Sequence, residues 1–136
     1  MIGRLFRALF RVDDRKRAIA LMRRGRDLAA AGRFTEASAS CAESVALCRR
    51  RARGGEGLGL LATGLSHLAW AQQHAGETQA ALGSLRECVD LFRGLGRPRW
   101  RRRFATALNH LSRLLVMSGD AKDRCVADAK RRFGRT

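Results

Sequence analysis

Apolar residues recur along this chain at the spacing of one helix face, and the spacing returns after each of several glycines. In the central stretch Leu58, Leu61, Ala62, Leu65, Leu68 and Ala69 stand at i, i+3, i+4, i+7, i+10 and i+11, a single stripe on an α-helix. Gly76 follows, in a place suited to the left-handed residue that closes a helix. Ala81, Leu85, Cys88, Val89 and Phe92 form a second helical stripe. So short a turn between two helices forces them antiparallel. Residues 65–92 are therefore predicted to form a helical hairpin.

The hairpin repeats. Leu21, Gly25, Gly32, Ala37, Glu43, Val45 and Leu47 each lie 44 residues before Leu65, Ala69, Gly76, Ala81, Glu87, Val89 and Leu91. Leu108, Leu111, Ser112 and Gly119 lie 43 residues after Leu65, Leu68, Ala69 and Gly76. One hairpin alone cannot bury both of its apolar faces, so this period predicts an all-α solenoid of about three antiparallel helix–turn–helix repeats. The expected helix pairs are 14–31 with 34–53, 57–75 with 78–94, and 98–118 with 121–133, without strands. The repeats are thus about 15–53, 57–94 and 98–133, within a domain of residues 13–136. In the last helix Arg124 falls where Ala37 and Ala81 stood, as suits a terminal repeat with a polar outer face.

These positions resemble the tetratricopeptide repeat (TPR) family, in a longer-period variant. Gly25, Ala69 and Ser112 match the small residue midway along the family's first helix. Gly32, Gly76 and Gly119 match its turn glycine, and Ala37 and Ala81 its alanine early in the second helix. The resemblance covers about residues 15–133 and departs from the family in lacking the proline that ends the second helix. It implies a concave groove, lined by the first helices of successive repeats, that holds an extended peptide. The matching inward positions are Met22, Arg23 and Arg26, then Ser66, His67, Trp70, Gln73 and His74, and finally Asn109, His110 and Arg113. Cationic and polar groups around one indole suit a ligand carrying carboxylates and an apolar side chain.

The remaining segments are connectors. Residues 1–12 are predicted as a basic amphipathic helix, with Ile2, Leu5, Phe6, Leu9 and Phe10 opposite Arg4, Arg7 and Arg11. It either caps the first repeat or, as the sharper alternative, lies on an anionic membrane surface or docks into another protein. Asp13 or Asp14 would cap the next helix. The glycines of 54–59 imply a flexible break between repeats, and Pro98 a helix start.

Charge adds a second candidate surface. The net charge is +16, from 28 Lys+Arg against 12 Asp+Glu. Clusters recur between hairpins or at a chain end: Arg15 to Arg17, then Arg49, Arg50, Arg51 and Arg53, then Arg97, Arg99, Arg101, Arg102 and Arg103 beside Trp100, and Arg131 to Arg135. In a solenoid these fall along one edge. A basic edge with an indole offers phosphate contacts and base stacking.

Catalytic signatures are missing: no G-x-S-x-G, H-E-x-x-H or phosphate-binding glycine loop occurs. His67 and His74 lie seven apart on one face, with His110 at the place equivalent to His67, but no carboxylate or cysteine is expected beside them to complete a metal site. Cys41, Cys48, Cys88 and Cys125 lack C-x-x-C spacing and read as reduced core thiols. No apolar run is long enough to span a bilayer, and no cleavable leader is recognisable, so a cytoplasmic protein is expected. The functional expectation is a non-enzymatic interaction scaffold without cofactors, whose groove takes a protein or acidic peptide. The alternative is a nucleic-acid-associated protein using the basic edge. Self-association is open.

Overall fold

The computed structural model describes residues 2–52 and 54–119. Five α-helices and one 3-10 turn follow one another: α1 Ile2–Ala30, α2 Phe34–Arg51, α3 Gly54–His74, α4 Thr78–Leu95, the turn Pro98–Trp100, and α5 Arg101–Ser118. No strand occurs among the described residues. Each helix packs on its neighbours in chain order, and α1 also touches α3, so the first helices of the hairpins line up behind one another. This is the all-α solenoid that the repeat predicts. The helix expected over 121–133, with Arg124, Cys125 and the Arg131 to Arg135 cluster, lies outside the described residues.

The turns close as the sequence indicates. Gly32, Gly76 and Gly119 all have positive φ, between 77° and 85°, the region that side chains disfavour. After α1 the Arg33 amide donates to the Leu28 carbonyl, and after α3 Glu77 donates to Gln72. These are the six-to-one bonds of a Schellman closure, at positions 44 residues apart.

Small residues set the helix crossings. Ala37, Ala69 and Ala81 are fully buried, and Gly25 lies so close to the Cys41 thiol that a Cβ there would collide with Sγ. A polar tie recurs at the same point of both hairpins. The Ser44 hydroxyl donates to the Ala18 carbonyl at 2.7 Å, and the Cys88 thiol to the Ala62 carbonyl at 3.1 Å. Burial holds the Cys41 thiol up at about 11 and that of Cys88 at about 12, so both stay protonated and unreactive.

Two connectors differ from expectation. Helix α1 runs unbroken from Ile2 to Ala30, so Asp13 and Asp14 lie within it and cap nothing. Asp14 instead accepts a hydrogen bond from Arg51 Nε of α2 at 2.7 Å. The apolar face expected over 2–11 rests mainly on side chains outside those described. The glycines of 54–59 are not a flexible break either, because α3 begins at Gly54 and carries them in its first turns. They serve close packing: a Cβ on Gly59 would stand inside the Trp100 indole, and one on Gly57 would lie 3.2 Å from the Ala52 Cα.

Candidate functional site: the concave face

The faces of α1 and α3 bring Arg26, His67 and Trp70 to one open depression of about 440 Å³, whose walls also include Asp27, Gly25 and Cys41. Trp70 anchors it. Its indole leaves 40% of its surface in water, yet it is held in place by neighbours. The His74 ring lies 4.0 Å from it and Phe34 5.9 Å, edge-on, while Phe34 and His74 rings are 5.0 Å apart. The His74 Nδ1–H donates to the Trp70 carbonyl at 2.9 Å, one turn back along α3. Phe34 was not foreseen here. It stands at the first position of α2, directly after a turn, where the sequence signals only a helix start.

Toward α5, His110 donates from Nε2 to the Gln73 side-chain oxygen, which joins the second and third first helices. Both half-buried imidazoles titrate low. Desolvation lowers His67 below its usual 6.5, aided by the Arg26 and Arg103 charges. Desolvation likewise lowers His110, with Arg113 and His74 adding to it. The face is therefore electropositive around neutral imidazoles. A depressed histidine pKa means that the unfolded chain takes up protons first on acidification. Stability contributed by His67 and His110 is thus fully present above about pH 6.5 and is lost as the pH falls below that value. Urea midpoints from pH 7.5 to 5 should fall on acidification for the wild type, and less steeply for a His67→Gln, His110→Gln double variant.

The predicted residues do not all face this surface. Arg23, Arg26, Asn109 and Arg113 are exposed, and Ser66, His67, Gln73 and His110 are half-buried. Met22 is buried, at 6% exposure, with its methyl against Gly64 of α3. It is a helix-contact residue and not a groove residue, because its place on α1 points into the α1–α3 contact.

The basic edge changes most. Trp100 is buried at 9%, seated on Gly59 with Phe92 6.0 Å away, so its ring faces have no room for a base. The Arg99 and Arg103 guanidinium groups lie 5.2 and 6.0 Å from its centroid. Several edge arginines latch neighbouring elements instead of facing solvent alone. Arg49 makes a two-pronged pair with Glu87 of α4, Arg51 pairs with Asp14, and Glu56 joins Arg99 to Arg15, the latter at 4.0 Å. Arg103 donates to the Thr63 hydroxyl at 3.1 Å, and the Arg97 guanidinium lies over Gly55. Arg50, Arg101 and Arg102 remain exposed, while Arg53 lies outside the described residues.

Stacked hairpins with a lined-up row of first helices and glycine closures at a fixed period invite comparison with known repeats. A family profile for the tetratricopeptide repeat matches residues 16–94, the first two hairpins. The chain belongs to the tetratricopeptide repeat family. TPR repeats generally mediate protein–protein interactions and typically form non-catalytic scaffolds. Comparison with curated proteins and with solved structures returns no match. Helix α5, entered through Pro98, stands beyond the profile match. Among the described residues, no three His, Cys, Asp or Glu side chains are grouped to share a metal ion, and no helix is long and apolar enough to cross a membrane.

Proposed function

We propose that the concave face of α1, α3 and α5 binds an extended, acidic segment of a partner protein. Trp70 takes an apolar side chain of that segment, and Arg26 and Arg113 take its carboxylates. One observation carries this reading. Arg23, Arg26 and Arg113 are exposed on the face that holds the half-open indole, and no acid pairs with them among the described residues. On the opposite account, part of the edge charge is already matched by Asp14, Glu56 and Glu87, and its indole is covered. The groove therefore supports a peptide better than the edge supports a nucleic acid. Asp27 in the same depression leaves room there for only one carboxylate of the segment, at Arg26, and favours its other acids toward Arg113 of α5.

The test is binding of an acidic peptide library and of single- and double-stranded oligonucleotides across a salt series. The reading expects an acidic peptide containing one large apolar residue to bind, with a modest salt dependence and a clear loss in Arg26→Gln, Arg113→Gln. Oligonucleotide binding alone, with a steep salt slope that Arg101→Gln, Arg102→Gln flattens, would transfer the function to the edge. Because an acidic ligand raises the pKa of His67 and His110, its binding takes up protons and should tighten as the pH falls from 7.5 to 6.

A further inference from the structure

The junction between the first and second hairpins contains a cavity whose counterpart one repeat later is filled by an aromatic side chain. Helices α3 and α4 repeat α1 and α2 at 44 residues, and α5 repeats α3 at 43. At the second junction Trp100 is seated on Gly59 and Phe92, with Arg99 and Arg103 against its ring. The residues equivalent to these five are Gly57 for Trp100, Arg15 for Gly59, Cys48 for Phe92, Glu56 for Arg99 and Leu60 for Arg103. All five line one cavity of about 220 Å³ between α1, α2 and α3. The plug is thus replaced by a residue without a side chain, and the phenyl ring beneath it by the smaller thiol of Cys48. Ala18 and Leu47 complete the apolar wall.

We propose that this cavity is a binding pocket for one aromatic side chain, an indole above all, presented by a partner polypeptide. The size is adequate: an apolar cavity of about 150 Å³ accepts benzene, and this half-open pocket of about 220 Å³ is larger. The chemistry fits as well. At the rim Arg51 is paired with Asp14 at 2.7 Å and Arg15 faces Glu56 at 4.0 Å, so the mouth is nearly neutral and selects no charged group. The same guanidinium groups offer a ring face the cation–π contact that Arg99 and Arg103 make with Trp100. The chain's own two indoles are both placed elsewhere, Trp100 in the core and Trp70 on the concave face. The pocket shares no lining residue with the depression around Trp70, so its test stands apart from the groove reading.

The experiment titrates the 15N-labelled full chain with N-acetyl-tryptophanamide, with N-acetyl-alaninamide as control. Saturable amide shifts are expected at Ala18, Leu47 and Leu60 with the first probe and not the second, and they should survive Trp70→Ala. Two variants import the second junction's own residues: Cys48→Phe and, separately, Gly57→Trp. Each should weaken probe binding by at least about tenfold, equivalent to about 1.4 kcal/mol. Absence of saturable shifts in the wild type overturns the proposal, whatever the variants do. So does a shift pattern confined to the Trp70 face, or full binding in both filled variants. Binding of free indole without the amide probe overturns the partner reading, because the mouth then excludes a ring carried on a chain. Concentration-dependent dimerisation abolished by Cys48→Phe would assign the pocket to a second copy and overturn it equally.

Discussion

Replacing Trp100 with alanine should destabilise the fold by about 3–5 kcal/mol, the range for removing a large buried aromatic side chain. For a chain of this size that lowers the melting temperature by on the order of 10 °C or more. The argument rests on where the indole sits. It is 9% exposed, spans the junction from Gly59 of α3 to Phe92 of α4, and ends the 3-10 turn that leads into α5. Its loss therefore opens a cavity and loosens α5 from the second hairpin. The converse change, Gly59→Ala, drives a methyl into the ring and should cost roughly 1–3 kcal/mol by overpacking. That cost should largely vanish in the Trp100→Ala background, a coupling that only residues in contact show. Thermal and urea unfolding of the four proteins in this cycle check it. Additive effects would mean that the two groups are not packed together.

The second large effect concerns binding. Trp70→Ala should weaken an acidic peptide by about 30-fold or more, corresponding to the 2 kcal/mol or greater loss typical of an aromatic hot spot. Stability should fall less than for Trp100→Ala, on the order of 2 kcal/mol, since 40% of this indole is already in water. Trp70→Phe should retain part of the affinity, because a ring can still stack on His74 and Phe34. Isothermal titration with one peptide, beside a urea midpoint for each variant, separates the two readouts. A Trp70→Ala chain that binds unchanged would show that the indole merely covers α3. Together the two tryptophans make a testable contrast, one expected to carry stability and the other affinity.

Local chemistry in the sequence determined the helices, their turns and their stacking order. The period of the apolar stripes names the buried face of each helix, and glycine is the residue best suited to the positive φ found at Gly32, Gly76 and Gly119. Both signals act within a few residues, so a linear reading captures them. Arg26, His67 and Trp70 were likewise legible as neighbours, because stacked repeats place equivalent helix positions side by side. What the sequence by itself left undetermined was which polar or small residue meets which partner. Charge clusters look alike whether solvated or paired, and only the tertiary structure sets Arg49 against Glu87 and Arg51 against Asp14. Glycines in a row suggest flexibility, yet Gly55 and Gly59 lie in a helix with the Arg97 guanidinium and the Trp100 indole in the space of their missing side chains. Met22 and Trp100 moved from surface to interior for the same reason. Burial depends on the long-range approach of α3 to α1 and of the Pro98 turn to α4, and packing of that kind is decided between residues about 40 positions apart.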